Sequence, residues 1–186
     1  NVDGCEPIQK EDMQKLLGKC NLYVETNDLN KYALQNFFWS ALQDALLAKG
    51  FVFQNRDFKA DVEKYYSKER NRHKWIGFEF PIECKSGITL KFKIELENDY
   101  YYGFVREKEN GTEQSQIIPA LQELGFSQTA WWYGYKYSSA NVRLNFWSSM
   151  NSEGFKKLND PRFRDEFIKE IADEMEYYIN EVKNRV

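Results

Sequence analysis

Two runs of alternating apolar and polar residues, separated only by Ser86-Gly87, constrain the fold of this chain most. Apolar residues occupy every second position from Ile76 to Ile82, and again from Ile88 to Leu96. A period of two is typical of a β-strand with one buried face, and a Ser-Gly pair between two such runs indicates a tight turn. The pattern therefore predicts a β-hairpin that places one face in the core.

The segments on either side complete an α+β pattern. We predict a third strand over 100–107, a second hairpin from 131–137 and 142–147, and a short extended segment over 51–53. Apolar spacing of three and four predicts long helices from Asn27 or Asp28 to Gly50 and from Asp160 to the end, with shorter ones over 7–17 and 119–124. We expect an antiparallel sheet of about five or six strands, with helices packed mainly on one face.

Length and composition limit the class of protein. The 186 residues fit a single α+β domain over 1–186, and the first residue is not Met, so we expect a piece of a longer polypeptide. Cys5, Cys20 and Cys84 are too far apart for a disulfide framework or a zinc knuckle, which favours a reducing cytoplasm. No apolar run approaches the roughly 18 residues of a membrane span, so we expect no membrane partner.

Glu83-Cys84-Lys85 ends an apolar strand and matches the Glu-x-Lys signature of the PD-(D/E)XK nucleases. In that interpretation Glu83 binds a divalent metal, Asp57 or Asp61 supplies a second carboxylate, and Lys85 orients the attacking water. The nuclease fold requires a helix after this strand, whereas a second alternating run follows here. We therefore favour a hairpin turn and assign no catalytic residue and no metal ligand.

Two further patterns have alternative interpretations. Glu95, Glu97 and Asp99 could bind a hard cation, but Lys91 and Lys93 on the same strand face favour a solvated row of charges. The only histidine, His73, lies in a polar segment without a nucleophile nearby in the sequence, so it does not predict acyl transfer.

A basic segment and an aromatic segment are the candidate binding elements. Lys68, Arg70, Arg72 and Lys74 surround one acidic residue and lie close to Tyr65, Tyr66 and Trp75. Cations position phosphates and rings stack on bases, so this segment predicts a phosphate or nucleic-acid contact, with a solvated loop as the alternative. In the run 131–135 (Trp-Trp-Tyr-Gly-Tyr), alternate rings should enter the core and the others should form an interface or a stacking platform.

The order of these aromatic segments resembles the carboxy-terminal portion of prokaryotic proteins of the PD-(D/E)XK nuclease superfamily. The resemblance covers about three quarters of the chain and rests on Phe38-Trp39, the segments 75–80 and 101–104, Trp131-Trp132, Asn145-Phe146-Trp147 and the last helix. In that family the catalytic Asp and Glu-x-Lys lie upstream of the matched region. The resemblance implies an accessory domain that binds DNA, senses a partner or packs on the nuclease domain of the same polypeptide.

We therefore predict a non-catalytic binding domain without a cofactor, in which Lys68, Arg70, Arg72 and Lys74 contact nucleic acid or phosphate. Its expected partners are the nuclease domain of the same polypeptide and DNA. One alternative is an Mg²⁺-dependent endonuclease that uses Asp57 or Asp61, Glu83 and Lys85. The other is a protein-interaction module.

Overall fold

A computed structural model describes residues 31–68, 70–106, 117–147 and 152–186 of the protein. Within these ranges, six helices accompany one antiparallel sheet of four strands, which confirms the predicted α+β class. The strands are β1 (Ile76–Glu83), β2 (Thr89–Leu96), β3 (Tyr100–Val105) and β4 (Trp132–Tyr137). The helices are α1 (31–48), α2 (Lys59–Tyr65), α3 (Arg70–His73), α4 (Pro119–Glu123), α5 (Glu153–Asn159) and α6 (Arg164–Arg185).

The sheet is a meander with the strand order β1-β2-β3-β4. The turn at Ser86-Gly87 joins β1 to β2, because Gly87 adopts a φ of 84° and its N–H donates to the Cys84 carbonyl at 2.9 Å. A positive φ is accessible to glycine at no steric cost, which explains the residue type at this position. The predicted hairpin is confirmed.

The helices cover one face of the sheet, as the alternation predicts. Apolar side chains of β1, β2 and β3 point toward them and are buried from Ile76 to Phe104. Phe38 of α1 lies 5.6 Å from Tyr100 between ring centroids, and Tyr178 of α6 lies 6.2 Å from Tyr102. The core is therefore a layer of rings between the long helices and the sheet, and the opposite sheet face carries the polar positions of the alternation.

On both outer strands, some of the backbone groups that face away from the sheet are missing or already hydrogen-bonded. The Cys84 N–H donates to the Ile88 carbonyl, which fixes the alternation of backbone pairing along β1. The even-numbered residues bond to β2, and the odd-numbered residues direct their N–H and C=O groups away from it. Among these is Pro81, which has no N–H, and the Gly77 carbonyl accepts a hydrogen bond from Arg56 at 2.7 Å. At the other edge, Ser127 exchanges two backbone hydrogen bonds of 2.8 Å with Tyr135 of β4.

The expected number of five or six strands is wrong, because the described residues form four. The segment 142–147 alternates like a strand, but it pairs only at the isolated bridge between Asn145 and Asp99, which lies in the turn between β2 and β3. Phe51 and Phe53 pack beside Phe80 in an extended segment that forms no ladder. In both cases burial of alternate side chains produces the period of two without a neighbouring strand.

The long helices are confirmed, and the predicted start of the first, at Asn27 or Asp28, lies outside the described residues. The last helix begins at Arg164 instead of Asp160, because Asp160 ends α5, a helix that the sequence pattern did not predict. The polar segment 54–74 contains the short helices α2 and α3, and the predicted helix over 7–17 lies outside the described residues. None of the helices in the described ranges combines the length and apolarity needed to cross a membrane.

Candidate functional site

The sheet face turned away from the helices, here called the open sheet face, contains a shallow hollow of about 1010 Å³. Its aromatic lining consists of Trp75, Tyr101, Trp131, Trp132, Tyr135 and Tyr137. Its charged lining consists of Glu79, Lys91, Lys93, Glu95, Glu97 and Arg106. Rings and charges on one concave surface make this face the candidate functional site.

Strand register explains the shape of the hollow. Glu79, Lys93, Gly103 and Tyr135 stand side by side on the four strands. Gly103 has no side chain, and a Cβ atom there would lie 2.0 Å from the Gly134 carbonyl oxygen. The backbone at Gly103 therefore forms the floor between charged side chains on one side and rings on the other.

Tyr101 is the centre of the aromatic cluster. Its ring centroid lies 5.6 Å from Trp132, 5.9 Å from Tyr135 and 5.5 Å from Tyr137, in tilted or edge-on arrangements. Such contacts stabilise ring pairs beyond the area that they bury. Because Tyr101 is itself buried, the cluster forms a rigid base under the more exposed rings.

Three rings at the rim are exposed to solvent. Trp75 precedes β1 and is 54% exposed, Trp131 precedes β4 and is 61% exposed, and Tyr137 ends β4 and is 46% exposed. In a four-stranded meander β1 and β4 run in opposite directions, so the three rings occupy three corners of the face. Each presents more than two fifths of its surface to solvent.

The charges on the face form cross-strand ion pairs. Lys91 Nζ lies 3.1 Å from Glu79, Lys93 Nζ lies 2.7 Å from Glu95, and Lys74 Nζ lies 2.7 Å from Glu97. The side chains of these pairs retain between 11% and 44% exposure, so most of them can exchange partners.

Tyr101 also holds Glu95 in place. Its hydroxyl donates to Glu95 at 2.6 Å. Burial first, and the hydrogen bond to Glu95 second, raise the pKa of the Tyr101 hydroxyl well above its usual value. Tyr101 therefore stays a neutral donor near neutral pH, and Glu95 in turn keeps Lys93 at a defined point in the hollow.

The predicted basic segment lies at one corner of the open sheet face. Lys74 Nζ lies 4.6 Å from the ring centroid of Trp75, and Arg72 lines an adjoining cleft with Trp75, Glu79 and Lys93. Lys68 and Arg72 are exposed. The structure thus brings Arg72 and Lys74 to the candidate site.

Arg70 has different surroundings from the rest of the basic segment. Its guanidinium lies 3.9 Å from the ring centroid of Trp147 and 4.9 Å from that of Tyr65. It donates to the Glu97 carbonyl at 3.1 Å and to the Asn98 side chain. Arg70 therefore fixes the turn between β2 and β3 to α2, through hydrogen bonds that both come from Nη2 and through its stacked guanidinium plane.

The residues of the nuclease alternative lie at opposite ends of β1. Asp61 pairs with Arg56, which donates to the Gly77 carbonyl at the start of the strand. Glu83 lies six residues further along, which corresponds to about 20 Å. Asp57 accepts a hydrogen bond from the Lys59 N–H at 2.9 Å, and Lys85 lies in the hairpin turn. These residues are not brought together.

The three acidic residues considered as cation ligands, Glu95, Glu97 and Asp99, each bind different partners. Glu95 binds Lys93 and Tyr101, Glu97 binds Lys74, and Asp99 binds Arg143 at 2.8 Å. Across the parts of the chain that the structure describes, no group of three or more His, Cys, Asp or Glu residues could hold a metal ion. His73 lies in α3.

The sequence pattern identified the parts of the site but not their combination. The run 131–135 and Trp75 are candidate binding residues by sequence, whereas the charges of β2 are interpreted there as a solvated row and Tyr101 is not assigned to the site. The alternation of Tyr101 with the buried Tyr100 and Tyr102 is the signal that could have placed it. Its contact with Trp132 depends on the register shift between Phe104 and Val105, which pairs Trp132 with Val105 on the same sheet face and which no residue pattern indicates.

No family model, no curated protein and no solved structure matches the chain significantly.

Proposed function

We propose that this is a non-catalytic binding domain that contacts nucleic acid through the open sheet face and the adjoining helix α3. The observation that supports this proposal is a local excess of positive charge. Five cations (Arg72, Lys74, Lys91, Lys93 and Arg106) and three carboxylates (Glu79, Glu95 and Glu97) lie on or beside the hollow, in a chain of net charge −3. Arg56 and Asp61, at the far side of the adjoining cleft, pair with each other.

Phosphate binding at this face has a low electrostatic cost. The paired lysines keep part of their surface in solvent, and exposed ion pairs contribute little to stability. At Lys74 and Lys91 a phosphate oxygen can therefore replace a carboxylate as a partner without leaving a buried charge unpaired, whereas Lys93 stays with the buried Glu95. Lys and Arg on a face that also carries exposed rings are the groups that bind nucleic-acid backbones and bases.

The context of this binding domain is proposed from the resemblance to prokaryotic PD-(D/E)XK nuclease proteins. In such a protein the domain would be accessory to a nuclease domain of the same polypeptide and would act in the cytoplasm. Several residues of the resemblance, such as Phe38, Trp39 and Phe146, are buried here. They form part of the core, whereas Trp75 and Trp131 contribute to the proposed contact surface.

The Mg²⁺-dependent nuclease with Asp57 or Asp61, Glu83 and Lys85 is less favoured, since these residues do not converge. A protein-interaction module is the second candidate, because exposed Trp and Tyr are also frequent in protein interfaces. The cations between the rings favour the polyanion over a protein.

Replacement of cations on the face tests the proposal. We expect the double variant Arg72→Ala/Lys91→Ala to bind a labelled mixed-sequence oligonucleotide at least tenfold more weakly at low salt. For this variant, the slope of log K against log salt concentration should become shallower by about one for each phosphate contact that is lost. Fluorescence anisotropy at several salt concentrations gives both quantities.

The matched control is Lys156→Ala/Lys169→Ala, which removes the same charge from exposed positions on α5 and α6. This variant should bind like the wild type. Equal weakening of the two variants would show non-specific attraction only, and absence of binding at low salt would refute the proposed function.

A further inference from the structure

We infer that the open sheet face binds single-stranded nucleic acid, with unpaired bases stacked on its exposed rings and phosphates held by the cations between them. This inference rests on the proposed nucleic-acid binding and specifies its ligand. It depends on three features of the face: the position of the rings, the shape of the hollow and the order of charges between the rings.

The exposed rings lie too far apart to form one hydrophobic patch. Trp75 and Tyr137 lie at the same end of the sheet, on its two outer strands. Three strand spacings separate these strands, which corresponds to about 14 Å. Trp131 lies near the start of β4, at the other end of the same outer strand. A ligand that uses more than one ring must therefore present several separate flat groups along a chain, as the bases of a nucleic acid do.

The rings select unpaired bases. In a duplex each base is stacked between its neighbours and only its edges are accessible from the grooves, so a ring on a protein surface cannot cover its face. In a single strand the bases can turn outward and stack on Trp or Tyr, largely without regard to sequence.

The shape of the hollow leads to the same ligand. Its floor at Gly103 lies below the side chains of Lys93 and Tyr135 in the neighbouring strands. A flexible strand can bend into such a depression, whereas a stiff duplex would touch mainly the rim. A duplex at the rim would meet the exposed rings with its backbone and groove edges, where no base face is accessible for stacking.

Cations alternate with the rings across the face. Lys93 Nζ lies 5.9 Å from the ring centroid of Trp132, and Arg106 lines the hollow together with Trp131. Lys74 is adjacent to Trp75 at the opposite corner. Positive groups beside separate rings complement a chain in which phosphates alternate with flat bases. This charge complementarity distinguishes the nucleic-acid strand from an apolar protein segment.

The test compares one labelled oligonucleotide, as a single strand and annealed to its complement, in binding to the wild type and to ring variants. We expect the single strand to bind at least tenfold more tightly than the duplex. Trp131→Ala/Tyr137→Ala should weaken single-strand binding by roughly tenfold for each ring that stacks on a base, with little effect on duplex binding. Tyr137→Phe should retain the affinity, because the ring remains.

The matched control is Phe163→Ala/Tyr177→Ala, which removes two exposed rings that do not line the hollow. This variant should bind the single strand like the wild type, and circular dichroism should show all variants folded. Equal affinity for the two forms, or no effect of Trp131→Ala/Tyr137→Ala, would overturn the inference and leave nucleic-acid binding in place. Binding of neither form at low salt would refute the proposed function itself.

Discussion

At the scale of single residues, Arg70 is a cation of the predicted binding segment that instead stabilises the fold. Its guanidinium lies against Trp147 and Tyr65, and its hydrogen bonds hold the turn at Glu97 and Asn98. A planar guanidinium can stack and donate in several directions at once, which a lysine ammonium cannot do. The same turn sets the pairing of β2 with β3 and thereby supports the open sheet face.

Removal of Arg70 should therefore lower stability. We expect Arg70→Ala to decrease the free energy of unfolding by about 1–2 kcal/mol, because a cation–π contact and a hydrogen bond to a partly buried carbonyl are lost. Arg70→Lys should recover little of this loss. Urea denaturation measures the effect, and exposed Arg72→Ala should stay within about 0.5 kcal/mol of the wild type. A stable Arg70→Ala protein would contradict the structural role.

At the scale of elements, α5 is held against the segment after β4 by close backbone contact. A Cβ atom on Gly154 would lie 2.1 Å from the Arg143 carbonyl oxygen, which leaves no space for a side chain. Phe155 and Leu158 of the same helix are buried in the core. The position of α5 is thus determined by this contact and by burial, although the helix has only seven residues.

Gly154→Ala should reverse the usual effect of this substitution in a helix. Alanine normally stabilises a helix by up to about 1 kcal/mol relative to glycine. Here we expect a loss of about 1–3 kcal/mol, because the added methyl group must displace backbone. Chemical denaturation measures the change in stability, with Lys156→Ala, at an exposed position on α5, as the control. Stabilisation by Gly154→Ala would contradict the close backbone contact.

Lys49 connects the end of α1 to α6 through a charged contact. It donates to Asp173 and, at 2.6 Å, to Glu176. The hydrogen bond from Lys49 lowers the pKa of Asp173 below its usual value of 3.8, and the bond to Asp173 raises the pKa of Lys49 above 10.5. The contact should therefore stabilise the fold between these two pH values and be lost outside them.

Lys49→Met should consequently show a pH-dependent effect. We expect it to lower the free energy of unfolding by up to about 1 kcal/mol near neutral pH. The difference from the wild type should shrink as the pH falls below 3.8, where Asp173 takes up a proton. Lys169→Met, which removes a longer contact of 3.7 Å with Asp173, is the control and should have a smaller effect. A pH-independent difference would indicate packing alone.

For the whole molecule, long periodic patterns predicted the fold and short ones did not. The hairpin around Ser86-Gly87 and the helices α1 and α6 were predictable because one buried face repeats over many residues. Helix α5 is not predicted, and for the segment of α2 and α3 the pattern leaves a polar helix and a loop open, since each of these helices is short and depends on core contacts that the sequence does not display. The run 142–147 has the alternation of a strand, but its pairing partner is a turn.

The candidate site was predictable only in parts. Lys74, Arg72 and the rings of 131–135 were recognised from residue type, because cations and aromatic side chains have characteristic chemistry. Their convergence depends on strand order and on the irregular pairing of β3 with β4, which are properties of the assembled sheet. Arg70 was assigned with its neighbours, because residue type alone does not distinguish a stacked guanidinium from a free one.

Pro81 in the outer strand β1 has a consequence for how this protein can evolve. It interrupts the row of backbone donors along that edge, and Ser127 occupies part of the other edge. In the part of the chain that the structure describes, addition of a further strand to the sheet is therefore disfavoured at both edges. Partners must then be selected by side chains on the open sheet face rather than by backbone pairing. Single substitutions on that face can change the specificity of the domain while the scaffold beneath it stays the same.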